Sequence, residues 1–306
     1  MLSYTIAAAA GDIAPHGLDR LSLPLLRSER SLCTELRQRL DERGMTVDVS
    51  HTSSWPVQVA ARQRRLQVIN IVVGLLLGVE GALMLALSNT LTLPITASYL
   101  TNDPVAVRGP TMPERLFALP IGPTVAVFLL LAAVDHLVVA SPGVQQWYVR
   151  SLERRANYAR WIEYSVSASI MIVLIGLFVG IRDLAAVVAI FAANTAMILF
   201  GLLMERQQQP GRADWSAFWF GSLVGVVPWV LVGIYVAAAP QVPGFVYAIT
   251  ATQLVLFFSF ALNMALQYRQ VGRWRDYVVG EVSYITLSLV AKSLLAWLIF
   301  ANVLRT

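Results

Sequence analysis

SLVAKSLLAW, residues 288–297, sets a lysine in the middle of an apolar run. Lys292 is the only lysine among 306 residues, whereas arginine occurs 22 times. The run extends over roughly 279–303, enough residues to cross about 30 Å of hydrocarbon as a helix. Working outward, six further runs of that kind precede it, at roughly 67–88, 117–140, 158–181, 184–204, 216–238 and 244–268. Only the triplet Ile181-Arg182-Asp183 parts the third run from the fourth, and its polarity predicts a tight interfacial turn. The composition agrees with a membrane protein: 57% of residues are hydrophobic and 13% charged, against about a quarter charged in a soluble domain. Mean hydropathy is +0.64.

The net charge of +5 is spread over the gaps between runs, which speaks for membrane topology and against a nucleic-acid partner. Twelve arginines flank the side on which the first run begins: Arg62, Arg64, Arg65, Arg150, Arg154, Arg155, Arg160, Arg206, Arg212, Arg269, Arg273 and Arg275. Four flank the other side: Arg108, Arg115, Arg182 and Arg305. The positive-inside rule therefore predicts a cytoplasmic N-terminus and an extracellular C-terminus, in a cell membrane crossed seven times. Cys33 is alone, which argues against a disulfide framework. His16, His51 and His136 show no ligand spacing, so no metal site is expected. The opening residues lack the basic segment of a signal peptide, leaving the first span as the insertion signal. No nucleophile elbow, phosphate loop or dinucleotide fingerprint supports an enzyme.

Two pieces stand outside the spans. Residues 1–60 form a polar extension in which LLRSERSLCTELRQRLDERG, 25–44, spaces leucines at helical intervals. It reads either as an amphipathic helix on the membrane or a partner, or as a poorly ordered tail. Residues 61–306 make up the transmembrane domain. Between its first two spans, LTLPITASYL (91–100) and VAVRG (105–109) have β-branched, period-two character around the turn-like TNDP, which predicts a short extracellular hairpin.

Ionisable residues inside spans are the informative ones, because each costs about 2.5–3.5 kcal/mol or more at the bilayer centre. Lys292 lies about 20 Å along the last helix, too deep for its side chain to reach water. A chain rich in arginine that places its one lysine there points to what arginine lacks: a primary amine able to condense with a carbonyl. A structural ion-pair lysine is the alternative. A protonated Schiff base needs an anion, and Glu80, Asp135 and Glu163 lie within spans. Glu163 shares a helix face with Arg160, three residues earlier; the pair reads equally as an interfacial salt bridge. If Arg160 faces the interior, the third helix is expected to begin earlier, around 150–157. His136 reads as a proton acceptor in a hydrated polar cluster or as a hydrogen-bonded structural residue.

RWIEYSVSAS (160–169), IMIVLIGLFVGIRDL (170–184) and IFAANTAMILFG (190–201) resemble the third and fourth helices of the heliorhodopsins. GRWRDYVVGEVSYITLSLVAKSLLAW (272–297) resembles their seventh, and the likeness runs over about residues 66–304. The resemblance implies an all-α, seven-helix, rhodopsin-like bundle of inverted orientation that binds all-trans retinal covalently. It implies Lys292 as the Schiff-base residue, Glu163 as its counterion, and Ser288 within hydrogen-bond reach. Asn194, Met197, Ile198 and Phe257 would line the chromophore, with Trp219, Gln267, Tyr164 and Ser167 as further pocket members. His136, Glu80 and Arg160 would belong to a polar cluster. The chain departs from the family where Leu77 replaces a frequent second histidine and Glu80 a usual glutamine, which predicts an extra carboxylate in that cluster.

The expected function is a slow-cycling light sensor that signals without transporting ions, as a homodimer with a cytoplasmic partner and lipid around it. A light-driven ion transporter on the same scaffold is the first rival, kept open by Glu80. A retinal-free transporter or scaffold is the second, weakened by the lack of internal repeats or broken helix pairs.

Overall fold

The computed structural model describes residues 55–99 and 112–305. The helical reading of 25–44, the turn TNDP and the strand VAVRG lie outside them. Among the described residues, seven helices are long and apolar enough to cross a membrane. They are α1 (Trp55–Leu87, apolar from Gln63 on), α2 (Ile121–Ala140), α4 (Tyr158–Phe178), α5 (Leu184–Gln207), α6 (Ser216–Ala238), α7 (Gly244–Tyr268) and α8 (Tyr277–Ile299). Between α2 and α4 lies the short helix α3 (Gln145–Glu153). A bundle in lipid keeps apolar side chains on its outside as well as its inside. Leu75, Val79, Leu223, Val255 and Leu262 accordingly sit exposed on the outer faces, while Leu77, Phe128, Ile172, Leu174 and Leu295 are fully buried.

The third span does not begin in the 150–157 stretch. That stretch is the end of α3 and a break in which Arg155 takes a left-handed conformation, φ 57°. Asn157 then caps α4, its side chain accepting from the Arg160 backbone N–H at 3.0 Å. The polar run is instead a separate amphipathic turn that buries Tyr148, Ser151 and Leu152. Arg160 still faces the interior, because it lies just inside α4, the most buried of the spans.

The hairpin pairs β1 (Thr92–Ala97) with β2 (Glu114–Pro120), antiparallel, with an irregularity between Ile95 and Thr96. Its second strand, ERLFALP, takes residues that the hydropathy pattern assigns partly to the second span. Pro120 and Pro123 decide the boundary: proline suits a helix start and lacks the N–H a central strand needs. Thr96 N–H donates to the Arg182 carbonyl at 2.9 Å, tying the hairpin to the turn between α4 and α5. In that turn Asp183 caps α5, accepting from Ala185 N at 2.9 Å. At the same end Asn89 donates to the Leu304 and Val303 carbonyls, 2.9 Å each, fastening the end of α1 to the π turn (Phe300–Leu304) that closes α8.

Candidate functional site

Lys292 is 2% exposed on α8, and its Nζ donates to Glu163 Oε2 on α4 at 3.2 Å. Ser288, one turn earlier on the same face, accepts from Nζ at 2.7 Å. The ammonium also lies 4.8 Å from the Tyr164 ring centroid, within range of the ring quadrupole. Tyr164 is fixed in turn by its hydroxyl, which donates to the Tyr284 carbonyl at 3.0 Å. A buried cation is tolerated only with such partners, since an unpaired one would carry a penalty of several kcal/mol. Two polar atoms near this pair have no protein partner: Glu163 Oε1 and Ser167 Oγ, one turn further along α4. The anionic side of the site thus has hydrogen-bonding capacity to spare.

Lys292 and Ser288 line a cavity of about 160 Å³ that runs between α4, α5, α6, α7 and α8. Its walls are almost wholly apolar: Trp161, Tyr164, Met197, Ile198, Trp229, Phe257, Phe260 and Tyr284 are among them. Trp229 and Phe257 meet edge to face at 5.3 Å, and Tyr164 and Phe260 at 5.5 Å. Three glycines make the slot. A Cβ at Gly201 would overlap the Trp161 ring, one at Gly225 would overlap Met197, and one at Gly221 would come 2.9 Å from Phe200. A long apolar, conjugated aldehyde fits this arrangement: its chain in the aromatic slot, its carbonyl carbon at the one amine.

Of the pocket positions expected from sequence, Tyr164, Met197, Ile198, Phe257 and Ser288 face the cavity together with Lys292. Asn194 is buried behind the wall, donating to Ser169 Oγ at 3.1 Å. Trp219 does not reach it: it is 62% exposed on the outer face of α6, and its neighbour Phe218 lines the cavity instead. Gln267 is also elsewhere, buried against Gly280 between α7 and α8. Trp161, Trp229 and Tyr284 line the cavity beyond the positions that the sequence points to. Their signal in the sequence is aromatic placement on the inward face of three spans, which ordinary packing shares.

A second buried cluster lies toward the end of the bundle where α1 begins. Arg160 does not pair with Glu163. Its two terminal nitrogens pair with Glu205 of α5 and Glu281 of α8, all three side chains nearly inaccessible. Glu205 also accepts from Trp161 Nε1 at 2.7 Å and Asn157 N at 3.0 Å; Glu281 accepts from Asn157 Nδ2 at 2.5 Å and Tyr148 Oη at 3.2 Å. The guanidinium lies over the rings of Tyr284, at 4.0 Å, and Trp161, at 4.9 Å. Beside it, His136 Nδ1 and Asn70 Oδ1 are 2.7 Å apart, and Asp135 shares a small polar cavity with both. Glu80 is not in this cluster. It sits half-buried where α1 meets α8, accepting from Ser293 Oγ at 2.7 Å and Trp297 Nε1 at 3.2 Å. The physical reason is its depth: ten residues past Asn70, it lies about 15 Å further along α1.

Seven spanning helices around a buried lysine and an aromatic slot define a membrane protein of the rhodopsin class. The crystal structure of a light-driven proton pump from Leptosphaeria maculans is similar in fold, with a TM-score of 0.55 over 79% of this chain and 94% of its own, at 14% sequence identity. No curated protein matches. The family model for Heliorhodopsin matches residues 66–304, and the chain belongs to that family, whose chromophore is retinal.

Proposed function

We propose that this chain is a light sensor that holds all-trans retinal as a protonated Schiff base on Lys292 and signals without transporting ions. The observation that carries the reading is the 3.2 Å pairing of Lys292, in the wall of the aromatic slot, with Glu163. When bound, retinal supplies visible-light absorption and a light-driven change of shape. Glu163 holds the positive charge at the Lys292 nitrogen, and Ser288 orients that nitrogen from one turn below. Gly201, Gly221 and Gly225 leave room for the slot, and Trp229 and Phe257 give it an aromatic wall. Displacement of the nitrogen from Glu163 weakens a buried ion pair, a local charge change that biases the packing of α4 against α8.

The surroundings favour signalling over pumping. Pumping needs ionisable groups from the lysine to both surfaces. From Lys292 toward the hairpin end, α8 buries Leu295, Ala296 and Ile299, and the π turn after it buries Leu304, in one apolar cluster with Leu174, Ile175 and Leu177 of α4. Glu80 lies off this axis, at the α1–α8 edge. The cytoplasmic N-terminus, plasma-membrane location, homodimer and cytoplasmic signalling partner belong to the same proposal, supported by the arginine asymmetry and family membership.

The test is illumination of cells carrying the retinal-reconstituted protein, with the external pH followed with and without a protonophore. The sensor reading predicts no protonophore-sensitive pH change alongside a slow photocycle in the same membranes. A sustained pH change abolished by the protonophore refutes it in favour of a pump.

A further inference from the structure

Trp161 belongs to two places at once. The six-membered edge of its indole rests on the α5 backbone at Gly201, where a Cβ would overlap it, and forms part of the cavity wall. Its pyrrole N–H donates to Glu205 Oε2 at 2.7 Å. Gly201 and Glu205 are four residues apart, hence on one face of α5, one turn above the other. The rigid bicycle therefore spans that turn, with one end facing the cavity and the other on a buried carboxylate.

That carboxylate is half of a clamp. Glu205 of α5 and Glu281 of α8 hold Arg160 of α4 between them, and Tyr277 Oη adds a contact to Glu205 at 3.4 Å. Arg160 stacks on Trp161 and on Tyr284, and those two rings meet edge to face at 6.1 Å. Three spanning helices are thus joined by charged groups whose central guanidinium stacks on two rings that line the cavity. Of those rings, only Trp161 also hydrogen-bonds a carboxylate of the clamp; the Tyr284 hydroxyl has no partner.

We infer that Trp161 is the positioning residue that couples the shape of the cavity to the Arg160–Glu205–Glu281 clamp. The inference rests on the retinal reading of the cavity. A ring held against Gly201 cannot yield at its cavity edge without turning, and turning moves the N–H off the Glu205 oxygen. Glu205 then redistributes among Arg160, Asn157 and Tyr277, which loosens α5 from α4 and α8 at the end where α1 begins. Glu163 and Lys292 sense light beside the cavity, and Trp161, two residues before Glu163 on α4, passes the change to the clamp.

The test uses the full chain in lipid nanodiscs and light-minus-dark infrared difference spectra, with carboxylate bands assigned by Glu205→Gln and scaled per molecule photoconverted. Wild type is expected to show Glu205 bands, and Trp161→Phe, which keeps a ring but no N–H, to lose them several-fold. Gly201→Ala, which displaces the ring and keeps the N–H, is expected to shift the dark-state Glu205 band. In retinal-free protein, the drops in unfolding temperature for Trp161→Phe and Glu205→Gln are expected to be non-additive. Unchanged Glu205 bands in Trp161→Phe, an unshifted dark-state band in Gly201→Ala, or additive drops in the retinal-free cycle each overturn the coupling. A wild type without any visible band overturns the retinal reading and the coupling with it; a visible band with unchanged Glu205 signals overturns the coupling alone.

Discussion

Replacing Arg160 by methionine removes the cation from between Glu205 and Glu281 while keeping much of its apolar stem. The two carboxylates are 4% and 1% exposed, so neither gains hydration in exchange. Breaking a buried pair by deleting one partner costs about 3–5 kcal/mol, because the remaining charge stays buried. Loss of the guanidinium from the rings of Tyr284 and Trp161 adds about 0.5–2 kcal/mol. A loss of that size lowers the folding equilibrium constant by roughly two to five powers of ten. The assay is unfolding by SDS titration from mixed micelles, with tryptophan fluorescence as the signal. The same substitution in a Glu205→Gln, Glu281→Gln background should recover most of the loss, since no charge is then stranded. A loss under about 1 kcal/mol, as for an exposed pair, or no recovery on neutralising both glutamates, refutes the reasoning.

Glu163→Gln is expected to move the visible band to longer wavelength, since a weaker counterion lets the positive charge spread along the chromophore; a band left in place contradicts that role. Gly201→Val should abolish the visible band in protein that still folds, read by absorption and size-exclusion chromatography, because the Trp161 ring is forced into the slot. His136→Leu should cost about 1–3 kcal/mol in the same SDS titration, by leaving the Asn70 amide oxygen buried without its partner. Glu80→Gln should leave the band in place, because its partners are Ser293 and Trp297 on the far side of α8 from the cavity.

The spans were legible because lipid imposes a length and a composition on any segment that crosses it. The buried lysine was legible for the same reason, in reverse: its placement is unfavourable unless something uses it. Strand β2 was less legible, since ERLFALPIGPTVAVF is apolar across the strand–helix junction and only its prolines mark the break. The partners of Arg160 were hidden by distance. Local spacing offers Glu163, three residues on, whereas the true partners are 45 and 121 residues away and stand near helix ends, where glutamate usually faces water. Trp219 and Phe218 differ by one residue and 100° of helix, a distinction that needs the neighbouring helices to resolve. Family position points Glu80 toward His136, whereas its depth along α1 sets it against Ser293 and Trp297.

Covalent binding of retinal by Lys292, as proposed, is open to a direct test. Purified wild type and Lys292→Arg, each given all-trans retinal, should be compared by absorption spectroscopy. A visible band in wild type alone, bleached by hydroxylamine, is the expected result. Folded wild type with no visible band, or an equal band in Lys292→Arg, contradicts it.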